Sequence, residues 1–175
     1  ATLGGAVLVA STHFASFFLG LEILSVSLYA LIVYPIYRAQ FVEAAVKYLV
    51  LAGATSAFLV FGMALVYAET GTMTVVGLAP LLTASLGGQQ VVVALGVTLL
   101  LVGVGFKLAV VPFHMWTPDV YQGAPAPLTA YVATVSKGAV FALLLRYFRP
   151  VSLDTGSTLF LVFAGLLEAA DPLMQ

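Results

Sequence analysis

GVGFKLAVVPFHMWTPDVYQGAPAPLTAYVATVSKGAVFALLLR, residues 103–146, decides how the rest of the sequence is read. It begins and ends inside long apolar runs, yet those runs carry Lys107 and Lys137. Between the lysines stand Pro112, Pro118, Pro125 and Pro127, with His114, Trp116 and Asp119. Pro112 lacks an N–H and crowds the carbonyl four residues back, that of Leu108, so the helix bearing Lys107 is expected to break near 108–113. Irregular backbone at membrane depth is tolerated where it is buried in protein or lines a wet cavity, and broken helices mark ion sites in transporters. A packing kink is the blander reading of Pro112; a lysine beside it favours the functional one. Thr117-Pro118-Asp119 reads as a helix start, with Thr117 as cap and Pro118 in the first position. Asp119 is then a cap or loop anchor rather than a channel acid. Trp116 and Tyr121 fit an aromatic belt at a membrane interface. Gly123, Pro125 and Pro127 form a rigid turn feeding the Lys137 helix.

Composition sets the class. Of 175 residues, 62% are hydrophobic and only 7% charged, where a soluble domain carries about 25% charged residues. Too little polar surface remains to face water, so the chain is expected to be an integral membrane protein in contact with lipid. It has no cysteine, which excludes disulfides and thiol-ligated metals or clusters. A net charge of −1 gives no footprint for nucleic acid. The two histidines, His13 and His114, are far apart in sequence and make no metal signature. There is no phosphate-binding P-loop, and GVGFKL lacks the third glycine of a dinucleotide fingerprint. No cofactor is therefore expected in this chain.

The apolar runs are continuous rather than alternating, which selects helices over a barrel. The expected fold is all-α, a polytopic transmembrane bundle with one discontinuous, proline-broken helix. It forms a single transmembrane unit over 1–175, with helices at about 1–10, 13–36, 41–69, 91–122 (broken near 108–113), 126–149 and 155–170. A loop over 69–90 carries at most a short interfacial helix near 75–85. Gly53, Ala54, Ser56, Ala57 and Gly62 are small residues that allow close helix contact. Arg38 and Lys47 on one side and Arg146 and Arg149 on the other leave membrane orientation unset. The opening ATLGGAVLVA has no basic n-region and no starting Met and reads as the latter part of a helix. An internal piece of a longer polypeptide is expected.

Three charges interrupt the apolar runs. Glu22 lies about 12 Å into its helix at 1.5 Å per residue, and Lys107 and Lys137 lie well inside theirs. Each mid-membrane charge costs about 2.5–3.5 kcal/mol, against a typical stability of about 5–15 kcal/mol. Snorkelling to the interface accounts for Lys47, which is near a helix start and four residues after Glu43. It accounts poorly for Lys137. A purely structural Glu–Lys pair is a second bland reading. The functional reading is a relay, in which a lysine shielded from water loads and releases a proton as a counter-charge such as Glu22 acts on it. His114, between the lysines, suits proton passage, although a lone histidine is often a hydrogen-bonded filler.

FKLAVVPFHMWTPDVYQGAPAPLTAYVATVSK resembles the proton-translocation module of the antiporter-like membrane subunits of respiratory complex I, the NADH-quinone oxidoreductase. PDVYQGAP followed by Ser136-Lys137 resembles the subunit N members of that family most closely. FFLGLEILSVSLYALIVY and EAAVKYLVLAGATSAFLVFGMALVYA are similar to the corresponding segments. The resemblance covers roughly residues 1–150. It implies an internal piece of a fourteen-helix subunit, from the end of the fourth helix into the ninth. By resemblance Glu22 matches the glutamate of the fifth helix, Lys107 the lysine of the broken seventh and Lys137 the central lysine of the eighth. Lys47 matches a lysine of the sixth helix and His114 the histidine after the break, both as secondary relay groups. The implied function is proton translocation coupled to quinone reduction elsewhere in the complex. Its implied partners are the other membrane subunits, with quinone met only through the whole complex, in a multi-pass protein of the bacterial inner (plasma) membrane. Multi-subunit cation/proton antiporters and membrane-bound hydrogenases share the helix arrangement and are the alternative; a structural membrane scaffold is the reading from another class. After about residue 165 the chain departs from the family pattern with LLEAADPLMQ, as a truncated, frameshifted or fragmentary product would.

Overall fold

A backbone in lipid must satisfy its own hydrogen bonds, and long apolar runs do so as helices. The computed structural model of the protein describes residues 1–34, 39–74, 88–110 and 113–148, and all regular elements in them are helical. They are α1 (Thr2–Ala10), α2 (Phe14–Val33), α3 (Ala39–Thr70), α4 (Gly88–Leu108), α5 (Trp116–Gly123), α6 (Ala126–Tyr131), a π-helical turn (Val132–Ser136) and α7 (Lys137–Phe148). The last three run on without a gap. Among the described residues four helices are long and apolar enough to cross a membrane: Phe14–Val33, Ala39–Thr70, Val91–Leu108 and Ala126–Tyr147. Pro35, Arg38, Pro112, Arg149, the short helix expected near 75–85 and the apolar stretch at 155–170 lie outside the described residues.

Each spanning helix buries one stripe. In α2 the buried positions are Phe14, Phe17, Gly20, Leu21, Leu24, Ser25, Leu28 and Ile32, the three-and-four spacing of a single helix face. His13 caps this helix, its Nδ1 accepting from Ala15 N at 3.2 Å. The corner before it is held from α7. Ser11 Oγ and the Tyr147 hydroxyl are 3.0 Å apart, and Arg146 Nη1 donates to Val9 O at 2.8 Å.

Small residues bring α3 and α4 together, though not all those the sequence offered. A Cβ on Gly62 of α3 would lie 2.6 Å from Gly96 O of α4, and one on Gly96 would lie 2.9 Å from Gly62 O. Without a hydrophobic drive in lipid, such backbone approach is what brings two helices together. Gly53 has open space beside it, and Ala54 and Ala57 are exposed on the same side. Only Ser56 and Gly62 of the five small residues face the bundle, because the buried stripe of α3 runs through Tyr48, Ala52, Ser56, Leu59 and Met63.

Candidate functional site

Helix α4 ends on the residue after Lys107. Ala109 takes a left-handed backbone, φ +58°. Its N–H bonds Phe106 O at 3.1 Å, and Val110 N bonds Gly105 O at 3.0 Å. These two bonds are those of a Schellman stop, with alanine in the place usually held by glycine. Lys107 therefore sits in the last turn of a helix, where the carbonyl end of the helix dipole favours a cation. The helix resumes at Trp116, after a turn in which Thr117 N bonds His114 O at 2.9 Å.

The ammonium of Lys107 is buried, the residue being 4% exposed. Nζ donates to Ser25 Oγ at 2.6 Å and to the Tyr48 hydroxyl at 3.4 Å, and lies 5.3 Å from the Tyr48 ring centroid. Ser25 donates its own proton to Leu21 O at 2.7 Å, which leaves a lone pair for the lysine. Ser25 is the twelfth of twenty residues in α2, so this contact fixes Lys107 at mid-depth whatever the length of α4 before it. One turn back on α2, Glu22 accepts a hydrogen bond from Ser56 Oγ of α3. Glu22 and Lys107 make no ion pair with each other; serine hydroxyls stand on both. The ion pairs among the described residues both belong to Lys47.

Trp116 is the residue that ties the break together. It is 4% exposed, which corrects its expected place in an interface belt. Its Nε1 donates to Phe106 O at 3.1 Å, and its ring stacks on both Tyr48 and Phe106 at 5.1 Å. The indole thus joins the neighbour of Lys107 in sequence to its partner in space. The ring of Tyr121, the other residue expected in that belt, meets Trp116 edge-on at 6.4 Å, and its hydroxyl oxygen is buried. Thr117 is not the helix cap. The helix starts at Trp116, Met115 holds the cap position without a side-chain bond, and Thr117 Oγ1 has no partner among the described residues. The turn through Met115 runs straight into the helix, which leaves Thr117 inside its first turn.

Lys137 begins α7 directly after the π-helical turn, half-buried, with Nζ 5.7 Å from the Tyr121 ring centroid. One-turn π insertions recur at functional sites. His114 is half-buried and its Nδ1 is buried without a partner among the described residues. Lys47 is placed apart from these groups. Helix α3 has 32 residues, about 48 Å at 1.5 Å each, against a hydrocarbon core of about 30 Å. Lys47, near its start, is exposed and bonds Glu43 Oε1 and Asp119 Oδ2, each at 2.9 Å. Asp119 thereby anchors α5 to α3, beside an open polar cleft of about 350 Å³ also lined by Gln40 and Gln122. The structure sets Lys107 on Ser25, one turn along α2 from Glu22, and sets Lys137 over the ring of Tyr121. Lys47 shares no hydrogen bond with that cluster. No three histidine, cysteine or carboxylate groups among the described residues come together to hold a metal ion.

Ser25, Ser56, Tyr48 and Trp116 are the site residues that sequence reasoning did not assign. Ser25 carried a usable signal, three residues after Glu22 and so on the same helix face. Ser56 stood among small residues read only as packing.

Apolar spanning helices, an interrupted helix and a buried lysine at the interruption define a multi-pass membrane protein. Residues 11–167 match the family described as NADH:quinone oxidoreductase/Mrp antiporter, TM, and the chain belongs to that family. It is similar to the NADH-quinone oxidoreductase subunit N of Nitrosospira multiformis, 60% identical over 142 residues, which covers 81% of this chain and 28% of that protein. It is also similar to the subunit N of Methylococcus capsulatus, 49% identical over 95% of this chain and 33% of that protein. Among solved structures it is similar to a chain of respiratory complex I from Thermus thermophilus with bound aureothin. There the TM-score is 0.70 at 44% identity, over 82% of this chain and 31% of that one. The chain spans about a third of the length of the curated relatives it matches.

Proposed function

We propose that this chain forms one half-channel of a proton-translocating, non-redox membrane subunit of an NADH:quinone oxidoreductase. Its partners are the other membrane subunits of the complex and the surrounding lipid, in the bacterial plasma membrane. Quinone acts on it only through the complex, and the chain itself holds no cofactor. Glu22, Lys107 and Lys137 carry the relay, with His114 between the lysines and Lys47 at the entrance beside the polar cleft. The observation that supports this reading is the company kept by Lys107. A buried ammonium with a purely structural task is paired with a carboxylate, whereas this one meets a serine and a tyrosine hydroxyl. Neutral partners leave the proton free to respond to a charge elsewhere, and Glu22 lies one turn from Ser25 to supply it.

The test is made in the full subunit within its complex. Lys107→Ala and Glu22→Ala are expected to lower proton pumping in sealed vesicles far more than they lower assembly. Normal pumping by either variant sinks the assignment. For a mere scaffold, Lys107→Met is tolerated and even stabilising. The family also takes in antiporters; sodium-dependent proton flux without NADH favours that second reading.

A further inference from the structure

The carbonyl of Phe106 accepts twice. Ala109 N–H reaches it at 3.1 Å to close the stop after Lys107, and Trp116 Nε1–H reaches it at 3.1 Å from beyond the break. The stop already gives that oxygen a partner, so the indole is not there to complete the backbone. What it holds is a peptide plane. Phe106 C=O and Lys107 N–H belong to one rigid unit, and fixing that unit fixes the direction in which the Lys107 side chain leaves the helix. The far end of the lysine meets the same indole through Tyr48. That residue is 1% exposed, and its hydroxyl accepts from Lys107 Nζ at 3.4 Å. Its ring is held from two sides: Trp116 stacks on it at 5.1 Å, and Tyr29 of α2 meets it edge-on at 5.3 Å. Trp116 is in turn presented by a helix seated along α3. Three residues on, Asp119 bonds Lys47 at 2.9 Å, and a Cβ on Gly123 would come to 2.7 Å from Ala44 Cβ.

We propose that Trp116 is a positioning residue for Lys107, setting the root of the lysine through Phe106 O and the place of its hydroxyl partner through the Tyr48 ring. A lysine stem has four flexible carbons and many rotamers. With root and tip both set, Nζ is kept on Ser25 Oγ at 2.6 Å. Trp116 carries no proton itself, because an indole donates and does not accept. Packing alone asks only for a large buried ring; the N–H aimed at Phe106 O is what packing does not require. The bond runs across the interruption, so the segment after the break sets the lysine before it. The bearing of Trp116 on pumping rests on the relay proposed above; its hold on the place of Nζ does not.

The test uses the full subunit in its complex. Trp116→Phe keeps a ring for the stack and removes the donor. Benzothienylalanine incorporated at position 116 removes only the N–H at constant ring shape, and so decides the matter even if the phenylalanine variant assembles poorly. Either change is expected to slow pumping per assembled complex on the order of fivefold, the worth of about one hydrogen bond. It is also expected to displace the midpoint of the pH profile of pumping, because Ser25, Glu22 and Tyr29 of α2 and Tyr48 of α3 no longer face the lysine as before. Tyr48→Phe should displace that midpoint in the same direction, and the two changes together by less than their sum, since both act on one contact. Wild-type rate and midpoint in the benzothienyl variant overturn the proposal. So does a cryo-microscopy map of that variant in which Lys107 still sits on Ser25 and Tyr48. Lys107→Ala separates the two readings. If it stops pumping while the loss of the indole N–H does not slow it, the relay stands and the positioning role falls. If it pumps normally while Nζ is displaced in the benzothienyl variant, the relay falls and the hold of Trp116 on Lys107 stands.

Discussion

At Lys107 a single serine decides how a buried charge is tolerated. Ser25 gives its proton to Leu21 O and its lone pair to Lys107 Nζ. Without it the ammonium keeps only the Tyr48 hydroxyl at 3.4 Å. Ser25→Ala is therefore expected to destabilise the purified protein by about 1.5–3 kcal/mol, the range for hydrogen bonds to charged groups. In a Lys107→Met background the same change should cost less than about 1 kcal/mol, because the charge it served is gone. Unfolding of the four variants in detergent measures the coupling; equal costs in both backgrounds would show that the hydroxyl does not serve the lysine. Glu22, Lys107 and Lys137 were legible in the sequence because a charge in an apolar run announces its own energetic cost. Ser25, Ser56 and Tyr48 were not, because hydroxyls are common in apolar helices and only the partner reveals what one does.

Two backbone irregularities place the lysines, and neither has a strong sequence signal. The stop after Lys107 uses Ala109 at φ +58°. A left-handed alanine costs about 1–2 kcal/mol, while glycine there adds about 0.4–1 kcal/mol of unfolded-chain freedom. Ala109→Gly is accordingly expected to stabilise by about 0.5–1 kcal/mol, seen as a higher unfolding midpoint. A lower midpoint would mean that the alanine methyl packs. Proline at 112 pointed to the right stretch for the break; the described stop belongs to Ala109. The π-helical turn at Val132–Ser136 is the second irregularity. One inserted residue rotates everything after it by about 100°. A helical wheel drawn from Ala126 through regular turns therefore aims Lys137 at the wrong neighbour, and the contact with Tyr121 could not be foreseen.

Across the molecule the groups around Lys107 come from different helices, so their spacing depends on how closely those helices meet. Ser56 and Tyr48 ride on α3 and Lys107 on α4, and the two helices touch backbone to backbone at Gly62 and Gly96. Gly62→Leu should force α3 off α4, with an overpacking cost of about 1–3 kcal/mol and a lower yield of monodisperse protein. Gly53→Leu in the same helix has open space and should be tolerated; equal behaviour of the two variants would refute this account of the contact. The sequence by itself determined the class, the helical fold, the approximate place of the break and the buried charges, because apolar length and isolated charge are properties of one segment at a time. Only the tertiary structure decided that Lys107 meets hydroxyls rather than Glu22, that Trp116 is a buried clamp and that Asp119 holds Lys47. Those are relations between segments, set by which face each helix buries and by two local departures from regular helix that no periodicity records.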